Sequence, residues 1–256
     1  VSAIDAPCAA PAARPQIAYF HGLPGGSGEW AACAPAGLAA YAPDRNTPIS
    51  ARDLAGAVEA QCRAGPVTLV GFSLGAPIAV AVARELGPRA AHIHLVSPAA
   101  PLQLGDFLNA MAGGPLFAIA AKHPRLFRVV ARIESLIART APAFLLDRLF
   151  ASAAGGDIAL RRDPAFRTAM AQVLRDGLGR TPHGFVAEVT AYVGDWSDLL
   201  EGLPAPVTIW QGEADNWTPP AMADALAAAL PGPVTLNRLP GRSHYSALRA
   251  ALAQLS

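Results

Sequence analysis

Six short, nearly continuous apolar runs govern what this chain can fold into: residues 16–20, 38–42, 67–70, 92–96, 207–210 and 234–239. Each is closed by Gly, Pro or Asp. A parallel strand covered on both faces reads this way, because neither side of it meets water. Helical patterns lie between several of the runs, at 51–63, 77–86 and 220–230, with a last one at 245–254. The alternation predicts an α/β fold with a mainly parallel central sheet and flanking helices.

The alternation breaks between about residues 101 and 196, where amphipathic helical stretches replace strands. In 124–140, Leu126, Val129, Val130, Ile133, Leu136 and Ile137 follow i, i+3, i+4 spacing, with Arg125, Arg128, Arg132 and Arg139 interleaved. Segments 142–153 and 164–177 repeat the style and open on Pro, which suits a first helical turn. The block reads as a helical cap, 101–196, inserted in a core made of 1–100 and 197–256. Its aliphatic stripes are expected to be ordinary core packing.

Several function classes are disfavoured. A hydrophobic fraction of 52% with 15% charged residues describes a compact globule, not a disordered chain. A net charge of +1 gives no global field to recruit nucleic acid or an acidic membrane face. No apolar run reaches the roughly 18 residues of a membrane span. Cys8, Cys33 and Cys62 form no C-x-x-C, so neither a zinc ribbon nor a redox pair is expected. Residues 1–15 lack a basic region and an apolar core, and so do not read as a signal peptide. The default compartment is the cytoplasm, although an opening on Val1 allows for a trimmed leader. Oligomeric state is left open.

The chemistry gathers around Gly71-Phe72-Ser73-Leu74-Gly75, placed between an apolar run and a helical pattern. Strand, G-x-S-x-G and helix in that order describe a nucleophile elbow, in which a tight turn lifts a serine hydroxyl clear of the sheet. A nucleophilic serine needs a base, an acid to orient that base, and two donors for the oxyanion. Leu74 opens the helix, so its N–H is one expected donor; Leu23, in the loop His21-Gly22-Leu23-Pro24-Gly25-Gly26, supplies the other. That loop lacks the G-K-[ST] ending of a phosphate cradle and does not fit G-x-G-x-x-G. Asp215 follows the run at 207–210 and is the expected acid, with Glu213 its competitor. His244 lies between the last strand-like run and the last helix, as the base should.

With these residues in order, the chain resembles the α/β-hydrolase-fold serine hydrolases, in the branch that carries a helical cap. The resemblance covers roughly residues 16–252 and rests on HGLPGG (21–26), GFSLG (71–75), WQGEAD (210–215) and GRSH (241–244). It implies a site at the carboxyl ends of the strands, a cofactor-free acyl-enzyme mechanism and an apolar pocket under the cap. Two departures stand out. Only about fifteen residues precede the first run, so a sheet short of one or two edge strands is expected. Asp44-Arg45 leads into Asn46-Thr47-Pro48 instead of a Gly-rich turn.

The expected activity is hydrolysis of a small, largely apolar carboxylic ester, thioester or lactone through Ser73. Carbon–carbon bond hydrolysis or lyase chemistry on the same triad is the alternative, as is a ligand-binding protein of this fold without turnover. Trp30, Phe72, Trp217 and Tyr245 neighbour the motifs and are candidate pocket walls. His92 and His94 share a strand face, but without a third ligand they read as packed histidines, and no metal site is expected. His21 reads as a brace for its loop, and His123 and His183 as surface positions.

Overall fold

A computed structural model gives the fold and describes residues 16–255. Cys8 and the stretch read for a leader lie outside the described residues. Five strands, β1 (Ile17–Phe20), β2 (Val67–Phe72), β3 (Ala90–Val96), β4 (Val207–Gly212) and β5 (Val234–Leu239), form one sheet in the order β1-β2-β3-β4-β5. Every pairing is parallel. The apolar runs of β1 to β4 are buried as two-sided strands must be, with Ala18, Leu69, Val70, Ile93, Leu95 and Ile209 all fully removed from solvent, whereas β5 at the sheet edge is not, with Thr235 and Arg238 exposed.

The run at 38–42 forms no strand, contrary to expectation. Tyr41 makes a single parallel bridge to Ala18, donating its N–H to the Ile17 carbonyl (2.8 Å) and accepting from Tyr19 N–H (2.8 Å). Gly37 turns the backbone at φ 88°, and Pro43 has no N–H with which to extend a ladder. One bridge is what remains between them. Among the described residues no strand precedes β1.

Helices α1 (Glu29–Cys33), α2 (Ala51–Gln61) and α3 (Gly75–Leu86) connect the first strands. Ser50 caps α2 by accepting the Asp53 N–H (3.1 Å). Between β3 and β4 the chain is helical: α4 (Gly114–Lys122), α5 (Pro124–Thr140), α6 (Pro142–Leu149), α7 (Asp157–Arg162), α8 (Pro164–Asp176) and α9 (His183–Tyr192). Helix α10 (Pro220–Ala229) follows β4, and α11 (His244–Leu252) follows β5.

Helix α5 corrects a second expectation. Its period is as predicted, but Leu126, Val129, Ile133 and Leu136 are about half exposed, at 50%, 48%, 53% and 50%. The buried face carries Phe127, Ala131, Ser135 and Ala138, while Val130 and Ile137 are half-buried. Periodicity fixes which residues share a face, not which face turns inward. Here the small side chains of Ala131 and Ala138 are the ones against the neighbouring helices, leaving the larger aliphatic stripe outside.

Candidate active site

Ser73 sits where β2 hands over to α3, at φ 54°. A non-glycine residue in that region is strained by about 1–3 kcal/mol and persists only where its surroundings hold it. The restraint is visible: Ser73 N–H donates to Val96 O (3.0 Å), and Ser73 O accepts from Ala76 N–H and Ala99 N–H (3.1 Å each). The flanking glycines are required by contact. A Cβ on Gly75 would lie 2.0 Å from Phe20 O, and one on Gly71 would lie 2.7 Å from Gly75 O.

His244 and Asp215 meet from two other strand ends. His244 Nδ1 lies 2.8 Å from Asp215 Oδ2, with both side chains almost completely buried. Asp215 also accepts the N–H groups of Trp217 (2.9 Å) and Thr218 (3.1 Å). The Thr218 hydroxyl lies 3.1 Å from Asp215 Oδ2 and 3.0 Å from Ser97 O, bracing the carboxylate. Gly212 lets the two loops approach, because a Cβ there would meet Arg242 O at 2.6 Å. Glu213, the competing carboxylate, is exposed. The His244 ring stacks against Trp217 (5.6 Å between centroids) and touches Phe72 (4.6 Å).

Two cavities adjoin Ser73. One, of about 10 Å³, is lined by Ser73, His244, Phe72, Tyr245 and Trp217 with Phe150 from above. That is room for about one water. The other, of about 70 Å³, is lined by Ser73, Leu23, Leu74 and Trp217 together with Phe117 and Glu134 from the helical segment. Neither Leu23 N–H nor Leu74 N–H is spent on a backbone hydrogen bond among the described residues. Leu74 is also the N-cap of α3, where a helix dipole favours negative charge. No hydrogen bond joins Ser73 Oγ to His244 among the described residues, although both face the smaller cavity; such contacts commonly tighten when substrate binds. Phe72, Trp217 and Tyr245 line the smaller cavity, and Trp217 lines the larger as well. Trp30 lines neither: it packs on Tyr19 (5.1 Å) and donates its indole N–H to Leu38 O.

Several supporting residues carry no motif signal. Glu29, fully buried, accepts from Tyr19 OH (2.6 Å), Gly22 N–H (3.0 Å) and Tyr245 OH (3.2 Å). Burial pushes its carboxyl up, and these donors oppose the shift. Arg45, also buried, donates to His21 O (2.6 Å) and pairs with Glu188 of α9 (3.4 Å). Burial, then the Arg45 charge, hold His21 well below the usual imidazole range. Asp157 of α7 accepts the N–H groups of Tyr245 (3.0 Å) and Ser246 (2.7 Å), capping α11 from outside its own sequence. Such contacts join residues up to 216 apart in the chain, and no local pattern announces them.

The other histidines are accounted for nearby. His92 Nε2 lies 2.8 Å from Thr208 Oγ1, and Trp210 donates its indole N–H to His94 Nδ1 (3.1 Å). Among the described residues no group of three or more His, Cys, Asp or Glu is placed to hold a metal, and no helix is long and apolar enough to cross a membrane.

The model of a family described as the alpha/beta hydrolase family matches residues 17–255. No curated protein matches the chain significantly. Among solved structures, a thermophilic esterase from Thermogutta terrifontis aligns at 19% identity and a TM-score of 0.66, over 95% of this chain and 88% of that one. An enol-lactonase from Burkholderia xenovorans LB400 aligns at 20% identity and a TM-score of 0.63, over 94% and 88%. A bromoperoxidase from Bacillus anthracis aligns at 18% identity and a TM-score of 0.61, over 95% and 90%. At such identities the likeness is one of fold.

Proposed function

The chain belongs to the alpha/beta hydrolase family, and on that premise we propose that it is a serine hydrolase of a small, largely apolar carboxylic ester, thioester or lactone. Ser73 Oγ attacks the carbonyl while His244 takes its proton. Asp215 accepts the Nδ1 hydrogen of His244, fixing the tautomer that leaves Nε2 free as a base and supporting the imidazolium that forms. Leu23 and Leu74 N–H groups receive the oxyanion, with the start of α3 adding its dipole. His244 then protonates the leaving group, and water repeats the sequence on the acyl-enzyme.

The observation that carries this reading is the meeting of a strained Ser73, two unspent N–H groups and a carboxylate-held His244 around adjoining cavities. A leaving group must reach the imidazole that protonates it, so the leaving-group atom lies on the side of Ser73 that His244 lines. The larger cavity, lined by both N–H donors' residues but not by His244, takes the acyl portion. Segment 101–196 acts as the cap: Phe117, Leu149 and Phe185 cover the acyl side with apolar surface.

A fluorophosphonate probe should label Ser73, and Ser73→Ala should abolish labelling and lower kcat on p-nitrophenyl esters by at least about 10³-fold. A folded wild-type protein that neither reacts with the probe nor turns over any ester of a short-to-medium acyl series would overturn the proposal.

A further inference from the structure

The acyl-side cavity holds one charged group that the proposed reaction does not use. Glu134, in the middle of α5, lines it together with Leu23, Leu74, Phe117, Phe185 and Trp217. It is the single acid of a helix whose four arginines, Arg125, Arg128, Arg132 and Arg139, are all exposed. The cavity's other side chains with polar atoms are Ser73, Thr218 and Trp217, and the Thr218 hydroxyl already lies against Asp215 and Ser97 O. Glu134 makes no hydrogen bond and no ion pair among those found in the described residues.

A partly buried carboxylate on a mostly apolar wall, with no donor from the protein, gives up part of its hydration. Burial accordingly pushes the Glu134 carboxyl up, and the charge of Arg148 on α6 opposes that shift. The cost is recovered when a ligand brings the missing donor. Arg148 also decides which donor fits. Its cation acts on the carboxylate from outside the cavity, so an ammonium bound to Glu134 would also be repelled by Arg148. A neutral O–H donor gains the bond to a charged acceptor without that penalty.

We infer that Glu134 is a specificity-determining residue that accepts a hydrogen bond from a hydroxyl carried on the acyl portion of the substrate, making hydroxylated acyl groups the preferred class. The inference rests on the reading that the cavity away from His244 takes the acyl portion. A site built around an acceptor discriminates against the analogue that lacks the donor more sharply than an apolar pocket discriminates a methylene.

The test uses isosteric pairs of p-nitrophenyl esters, each an ω-hydroxyalkanoate against the alkanoate one carbon longer. The wild type should prefer the hydroxylated member in kcat/KM by roughly ten- to hundredfold at the best chain length, the effect of one hydrogen bond to a charged group. Glu134→Leu should abolish or invert that ratio, and Glu134→Gln should keep part of it. A ratio unchanged in Glu134→Leu, or a wild type that prefers the plain alkanoates, overturns the inference. Should Glu134→Leu fail to fold, as judged by its melting transition, Glu134→Gln and Glu134→Met decide the same ratio. A second arm works without turnover: binding of the corresponding ω-hydroxyamides and alkanamides to Ser73→Ala, read by tryptophan fluorescence because Trp217 lines the cavity. Failure of the probe to label Ser73 would count against the reaction, whereas the binding ratio reports on Glu134 alone.

Discussion

The sheet half and the helical half of this molecule are both apolar in sequence, yet they use that apolarity in opposite ways. In β2 and β3 every Val, Leu and Ile vanishes from solvent, and the layer is held by burial. In α5 the four aliphatics of one stripe stay about half exposed, and Phe127 with two alanines does the packing. The helical half meets the sheet half through aromatic contacts, Phe150 and Phe166 on Tyr245 (5.4 and 5.7 Å between centroids), and through polar clamps: Glu188 on Arg45, Asp157 on the start of α11, and Asn216 Nδ2 on Ser152 O (2.7 Å). Apolar layers tolerate small shifts, whereas buried polar clamps fix a register. The site lies on the seam between the two.

The strongest way to break this contrast is Glu188→Ala. It would leave the Arg45 guanidinium, 2% exposed, without its carboxylate, and should destabilise the fold by about 3–5 kcal/mol in urea unfolding. The double variant Arg45→Met/Glu188→Leu should recover most of that loss. A cost below about 1 kcal/mol for the single variant would show that the clamp does not hold the halves together.

Next in size is Asp157→Ala. Two buried N–H groups at the start of α11 would lose their acceptor, at about 2–3 kcal/mol. Because His244 occupies the same turn, probe labelling of Ser73 should slow more than the stability loss explains. Unchanged labelling would separate the clamp from the site.

The sheet half carries its own liability, which pH exposes. Burial, then the neighbouring His92, hold His94 down at about 4 against an ordinary 6.5. The folded state therefore binds fewer protons than the unfolded chain between those values. Stability contributed by neutral His94 is present above about pH 6.5 and is lost as pH falls toward 4. The loss should be about 2 kcal/mol for this partly buried ring, and urea midpoints across the window should show it reduced in His94→Asn. An identical pH slope in that variant would place the liability elsewhere, with buried His21 the next group to replace. Smallest of all, Leu136→Ala on the exposed stripe should change stability by under about 0.5 kcal/mol. A loss of 2 kcal/mol or more, the core range, would mean that the stripe is covered in solution.

How much of this was legible in the sequence follows from the range over which each signal acts. The placement of Ser73, Asp215 and His244 at strand ends was readable because each follows a hydrophobic run that is local, and the order of runs fixes the order of loops. Burial of the apolar runs in β2, β3 and β4 was readable for the same reason. The strand expected at 38–42 was not, since its fate depends on Gly37 and Pro43 interrupting a ladder that the apolar content alone suggests. The direction of α5 was not, because a helix with aliphatics on one side and Phe127, Ala131 and Ala138 on another offers two plausible inner faces. Trp30 neighbours the Gly-rich loop in sequence, but its indole is spent on Leu38 O behind it. Glu29, Arg45 and Asp157 act on backbone groups far away in the chain, and composition carries no trace of their partners.

The bond from Tyr245 to Glu29 spans 216 residues and joins the start of α1, which also holds Gly22 N–H, to the turn that bears His244. During synthesis the two ends of that span leave the ribosome far apart in time. A nascent chain that has emerged only through β4 can close the elbow around Ser73, yet it holds neither His244 nor the tyrosine that completes the Glu29 cluster. Contacts of such separation also slow folding, because the intervening chain must be ordered before they form. The meeting of Ser73, Asp215 and His244 is thus withheld until α11 docks, and an unfinished chain holds the elbow without its histidine.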